Sequence, residues 1–136
     1  MSDNFDPKEF LHLADELLKN DTGKREVISR TIVNRSYYAA LLFAREFINS
    51  KDKNLLDNRE NTEDKKSIHW RVREGLKKIG QRQPSKMLCP TSDFLYQLFK
   101  QRGDADYNIS LKVGNLEAMR ATSLSRKIID NLKRWA

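Results

Sequence analysis

Apolar residues recur along this chain at intervals of three and four, the spacing of a helix face, with no stretch of strict alternation. Phe10, Leu13, Leu17 and Leu18 form the first stripe. It follows an Asp6-Pro7 pair that reads as an N-cap with proline at the first helical position. This helix should end near Asn20, with Gly23 in the turn. From about Lys24 to Ile48 the chain carries two stripes. Ile28, Ile32, Ala39, Phe43 and Phe47 lie on one side; Val33, Tyr37, Leu41, Ala44 and Ile48 lie nearly opposite. A helix apolar on two faces is sandwiched, either at the centre of a bundle or between the bundle and another chain.

Ser50 to Lys66 is polar and aperiodic, a long connector with Leu55 and Leu56 as its apolar anchor. Ser67 to Ile79 predicts a third helix with Ile68, Val72, Leu76 and Ile79 inward. Gly80 to Pro90 reads as a loop broken by Pro84 and Pro90. A fourth helix begins near Thr91–Asp93, carries Phe94, Leu95, Leu98 and Phe99, and is disturbed or ended at Gly103. Asn115 can cap a fifth helix through about Arg134, turning Leu116, Met119, Ser123 and Ile128 or Ile129 inward. The pattern predicts an all-α fold, an antiparallel bundle of four to five helices. With 136 residues the chain suits a single domain, residues 1–136.

Composition narrows the setting. Hydrophobic residues make up 38% and charged residues 33%, and no apolar run approaches the roughly 18 to 20 residues needed to cross a bilayer. Met1 to Pro7 is acidic and lacks the basic and apolar regions of a signal peptide, so the expected location is the cytoplasm, with no membrane partner. Cys89 is the single cysteine; an intrachain disulfide is excluded and the thiol reads as packing. With only His12 and His69 beside it, no zinc spacing exists, and the reading includes no metal and no cofactor.

The net charge of +7 is unevenly spread. Residues 1–21 hold six acidic residues against Lys8 and Lys19. Residues 65–86 hold eight basic residues against Glu74 alone. Such a basic segment attracts phosphate, with nucleic acid the commonest partner, or serves as a solubilising surface. Within it Trp70, Arg73 and Lys77 project in similar directions, an aromatic among cations that can stack a base while holding phosphates, or a packed tryptophan beside a solvated face.

Two arginines fall on apolar helix faces. Arg35 lies in the first stripe of the second helix, with Glu46 three turns on; Arg102 lines up with Leu95 and Leu98, with Asp106 four residues later. An unpaired charge there is costly. One reading is internal salt bridges joining Arg35 or Arg102 to Asp106 or Glu46. The other is an anion site in which the guanidinium groups grip a phosphate. Tyr37, on the second stripe, suits a core or a dimer interface; Tyr38, at the edge of the first, can reach Asp106 or a phosphate. Tyr107 can bond across helices or face a nucleotide. Trp135 reads as a packing anchor.

Ile32-Val33-Asn34-Arg35-Ser36-Tyr37-Tyr38-Ala39-Ala40 resembles the R-x-Y-Y-A helix of HEPN-domain proteins, and Arg102-Gly103-Asp104-Ala105-Asp106-Tyr107 resembles their R-x-x-A-D-Y segment, as found in small stand-alone members. His69 matches a histidine often seen there, and the resemblance follows helix order over nearly the whole chain. It implies a helical bundle, commonly a homodimer. It also implies RNA or nucleotide binding in a defence or toxin–antitoxin setting, with metal-independent endoribonuclease activity in many members. Stand-alone members often pair with a minimal nucleotidyltransferase. Arg35, Tyr38, Arg102 and Asp106 then become phosphate-binding candidates, and Arg102, Tyr107 and His69 catalytic candidates.

The catalytic pattern of the family is an arginine, a polar residue, and a histidine four to six residues on. Here Gly103 stands at the polar position, and Asp106, Tyr107 and Asn108 stand where the histidine belongs. An imidazole titrates near neutral pH, whereas a free phenol titrates at about 10 and is a poor base. Three functions follow: a binding protein with a degenerate catalytic motif, an active endoribonuclease, or a non-enzymatic module that pairs with a nucleotidyltransferase.

Overall fold

A computed structural model describes residues 5–20, 26–56, 67–82 and 88–135. They form an all-helical bundle: α1 (Lys8–Asn20), α2 (Glu26–Lys51), α3 (Ile68–Arg82), α4 (Leu88–Tyr107) and α5 (Asn115–Arg134), with a 3₁₀ turn at Lys53–Leu55 after α2. Among the described residues no helix is long and apolar enough to cross a membrane. The turn at Gly23, the middle of the connector at 57–66 and the break at Pro84 fall outside the described residues.

The caps explain several boundaries. The Asp6 carboxylate accepts from the Lys8 amide at 3.0 Å, so the chain enters α1 as the Asp6-Pro7 pair predicts. The Ser67 hydroxyl accepts from the Trp70 amide at 3.3 Å at the start of α3. Two boundaries depart from expectation at α4. The helix takes in Pro90, because proline in the first turn has no helical hydrogen bond to lose. It also runs through Gly103 to Tyr107, since one glycine costs a helix only about 1 kcal/mol. Gly80 likewise belongs to α3 rather than to a loop. At α5, Gly114 rather than Asn115 is the N-cap, its amide donating to the Glu117 carboxylate at 2.6 Å.

The doubly apolar α2 is central within its own chain: it packs against α1, α3, α4 and α5. Val33, Tyr37, Leu41, Ala44 and Ile48 join Val72, Leu76, Leu95, Leu98 and Ile128 in the main core. Ile32 and Ala39 face the other way, toward Ala14 and Leu11 of α1 and Ala118 and Ile129 of α5. Tyr37 is therefore a core residue and not part of a dimer surface. Contacts set the directions. Helices joined in sequence, α1/α2, α3/α4 and α4/α5, run antiparallel. By contrast α3 starts beside Tyr37 and ends beside Asp52, so it runs in the same sense as α2. Helix α5 also runs with α2, Ser125 donating to the Ser36 carbonyl at 2.7 Å.

Two inward faces differ from the hydrophobic stripes. On α1 the buried residues are Leu11 and Ala14, while Leu13 is exposed. On α5 they are Ala118, Ala121, Thr122, Ser125, Ile128, Ile129, Asn131 and Leu132; Leu116, Met119 and Ser123 face solvent. The small side chains let α5 approach α2 closely enough for a side-chain hydroxyl to reach a helix carbonyl, and the larger residues turn out.

Candidate functional site

The site forms where α2, α3 and α4 meet, and Arg102 is its centre. Arg102 is 8% exposed. Its guanidinium carbon lies 5.2 Å from the centre of the Phe99 ring, 5.5 Å from Tyr37 and 5.6 Å from Tyr107, a cage of three rings around a charge. Helical spacing brings Asp106 one turn on, and its carboxylate accepts from Arg102 at 3.3 Å. Asn34 of α2 donates to the same carboxylate at 3.0 Å and 3.3 Å. Asp106 thus ties α4 to α2 as well as holding Arg102. Burial works against the Arg102 charge, but Tyr38, Asp106 and Tyr107 outweigh it and the pKa is raised above the usual guanidinium value. The Arg102 Nε is buried and has no hydrogen-bond partner among the described residues.

A second arginine joins from α3. The Arg73 guanidinium carbon lies 4.9 Å from the ring centres of both Tyr96 and Phe99, and one of its terminal nitrogens is buried without a partner among the described residues. His69, one turn before Arg73, packs its ring 5.1 Å from Phe99 and 5.6 Å from Tyr37. Its Nδ1 is hydrogen-bonded to the Tyr37 hydroxyl at 2.5 Å, which leaves Nε2 as the nitrogen for a ligand. Burial first, then the charges of Arg102 and Arg73, push the His69 pKa below its usual 6.5. Burial holds the Tyr37 hydroxyl above the usual phenol range, against the pull of Arg102 and Arg73, so it stays protonated. Tyr38 stands edge-on to His69, ring centres 6.4 Å apart.

The structure thus gathers Arg102, Asp106, Tyr107, Tyr38, His69 and Arg73. It does not bring Arg35 to them. The Arg35 guanidinium sits 5.2 Å above the Phe10 ring of α1, because its helical phase places it on the α1 side of α2. Neither salt bridge considered for it forms: Asp106 pairs with Arg102, and Glu46 is exposed on the far turn. The basic patch divides too. Arg73 turns to α4, while Lys77 pairs with Glu74 at 3.4 Å and Trp70 stays partly exposed on the outer side of α3.

Three participants carried no functional signal in the sequence. Phe99 belongs to the apolar stripe of the fourth helix, Asn34 only stands inside the R-x-Y-Y-A segment, and Arg30, which pairs with Glu26 at 2.8 Å, belongs to no motif. Arg30 braces the site from outside. It donates to the Ala105 carbonyl at 2.8 Å, to those of Asp104 and Asn108 at 3.2 Å each, and to that of Leu111. Glu26 accepts from Arg30 at 2.8 Å and from the Val113 amide at 3.2 Å, which lowers the Glu26 pKa. The end of α4 that bears Asp106 and Tyr107 is thereby capped from α2. Two clefts of about 590 and 510 Å³ lie between α4 and α5; they are lined by Phe94, Gln97 and Gln101 rather than by Tyr96, Phe99 or Arg102.

No protein-family model and no solved structure matches the chain. An uncharacterized protein of Methanocaldococcus jannaschii is 37% identical over 54 residues, 40% of this chain. The matched stretch spans about a third of that relative, 32% of its length.

Proposed function

We propose that this chain is a HEPN-like protein that binds RNA or a nucleotide by its phosphate, in a defence or toxin–antitoxin setting. The reading rests on the incompletely paired charge at Arg102. A guanidinium this deep in a helical core, held by a 3.3 Å contact to the Asp106 carboxylate and by Tyr107, with an Nε that has no partner among the described residues, leaves a donor unsatisfied at real cost. A phosphate oxygen fits it, and the neighbouring Arg73 and His69 make the position more favourable for an anion. Asp106, braced by Asn34, orients the guanidinium, and Tyr38 and Tyr107 flank it.

One observation favours endoribonuclease activity as a second reading. His69 packs against Phe99, the ring that also meets Arg102, so α3 provides an imidazole that the segment after Arg102 lacks. In that reaction the RNA 2′-hydroxyl gives its proton to His69 and attacks the adjacent phosphorus. The 5′-oxygen leaves and takes up a proton, giving a cyclic phosphate and a 5′-hydroxyl. Arg102 and Arg73 stabilise the charge on the phosphorane oxygens.

The test incubates RNA with the protein and with Arg102→Ala in EDTA, following both binding and cleavage. Salt-sensitive binding that is lost in the variant supports the first reading. Cleavage by the wild type, lost in Arg102→Ala and in His69→Gln, supports the second. No binding and no cleavage with either protein opposes both, and favours the module that pairs with a nucleotidyltransferase.

A further inference from the structure

The residues beside Arg102 extend the site along α4, and their chemistry is that of a strand. Tyr96, Lys100, Gly103 and Tyr107 are spaced by four, three and four, one row of a helix. Phe99 and Arg102 lie in the neighbouring row. Tyr96 is 44% exposed and Tyr107 is 76% exposed. Between them cations alternate with rings. Arg73 lies 4.9 Å from both Tyr96 and Phe99, Lys100 lies 5.6 Å from Tyr96, and Arg102 lies 5.2 Å from Phe99 and 5.6 Å from Tyr107. Tyr96 and Phe99 are nearly parallel, 26° apart with centres at 6.3 Å. At Gly103 the row is bare: a side chain there would meet nothing within 4 Å, so the helix backbone is open between the two tyrosines.

We infer that this row binds a single-stranded nucleic acid, with phosphates at Arg73 and Arg102 and bases stacked on Tyr96 and Tyr107. The inference deepens the phosphate-binding reading and rests on it. Tyr96 and Tyr107 are eleven residues apart, about 16 Å along a helix at 1.5 Å per residue, farther than one nucleotide reaches. A mononucleotide would leave one end of the row empty. A duplex keeps its bases stacked inside and offers the tyrosines no ring face. An acidic peptide would satisfy the cations but gains little from exposed tyrosines at both ends of the row.

The experiment measures binding of the full chain in EDTA by fluorescence anisotropy. The probes are a labelled single-stranded oligoribonucleotide, its DNA counterpart and the same RNA closed into a hairpin duplex; adenosine monophosphate is titrated separately. Tyr96→Ala removes a stacking face from an exposed position outside the Arg102 cage. It should weaken binding of the single strand by about 5- to 100-fold, by a larger factor than it weakens the monophosphate, and keep the helical signal and melting temperature. Tyr96→Phe should restore strand binding, and the hairpin should bind less tightly than the strand. RNA or DNA strand binding that responds in this way supports the inference, and their ratio identifies the sugar. Monophosphate binding at Arg102 with a neutral Tyr96→Ala overturns the strand row and leaves the phosphate reading standing. So does a hairpin that binds as tightly as the strand. Absence of binding to strand and monophosphate alike overturns both.

Discussion

At the scale of single residues, stability and ligand binding make opposite demands on Arg102. A buried charge whose donors are only partly satisfied contributes little to folding, and an apolar side chain of similar size often replaces such a group without loss. Arg102→Met is therefore expected to keep or raise the melting temperature while abolishing phosphate and RNA binding. A marked fall in stability in that variant would assign Arg102 to a structural ion pair. His69 gives a second residue-scale expectation. Its folded pKa lies below the ordinary 6.5, so the fold favours the neutral ring. The unfolded chain then binds more protons in this range, and stability rises with pH. The contribution is present above about pH 6.5 and is lost as pH falls below it through the folded value. Melting temperature measured from pH 7 down to 5 should fall less steeply in His69→Gln than in the wild type.

At the scale of elements, the end of α4 depends on α2 more than on its own sequence. Arg30 supplies donors to four carbonyls of residues 104–111, and Glu26 anchors Val113. Arg30→Ala should cost about 2 kcal/mol in urea denaturation and speed hydrogen exchange at Asn108, Leu111 and Val113. Weakened RNA binding should accompany it, because Asp106 and Tyr107 ride on the same turn. Gly103 points the other way. It lies inside α4 with open space where a Cβ would stand, so Gly103→Ala should stabilise the protein by about 0.5–1 kcal/mol. A neutral or destabilising result would mean that α4 needs a break there.

At the scale of the whole molecule, what periodicity could reveal was the burial of large residues. The second stripe of α2 is buried in the main core, and Ile32 and Ala39 of the first face the opposite side, because both sides meet other helices of the same chain; Phe47, expected in the first stripe, turns into the main core instead, and Ile28 and Phe43 are only half-buried. Periodicity failed where helices touch through small residues. On α5 the buried face includes Ala118, Ala121, Thr122 and Ser125, and a count of large apolar side chains selects Leu116 and Met119 instead. The site divides in the same way. Arg102, Asp106 and Tyr107 share one turn of one helix, so their grouping is local and visible in sequence. The separation of Arg35 follows from its helical phase on α2, whereas the addition of Arg73 and His69 follows from how α3 packs on α2 and α4. No spacing within the chain encodes the latter.

The proposed anion site joins Arg102, Arg73 and His69. It is tested most directly by following the His69 ring signals with pH by nuclear magnetic resonance, with and without inorganic phosphate. The free protein should show a midpoint below 6.5 that rises when phosphate is added, because a bound anion offsets the two guanidinium charges. In Arg102→Met, phosphate should no longer move it. A wild-type midpoint that stays fixed at saturating phosphate, in a folded protein, would contradict the account.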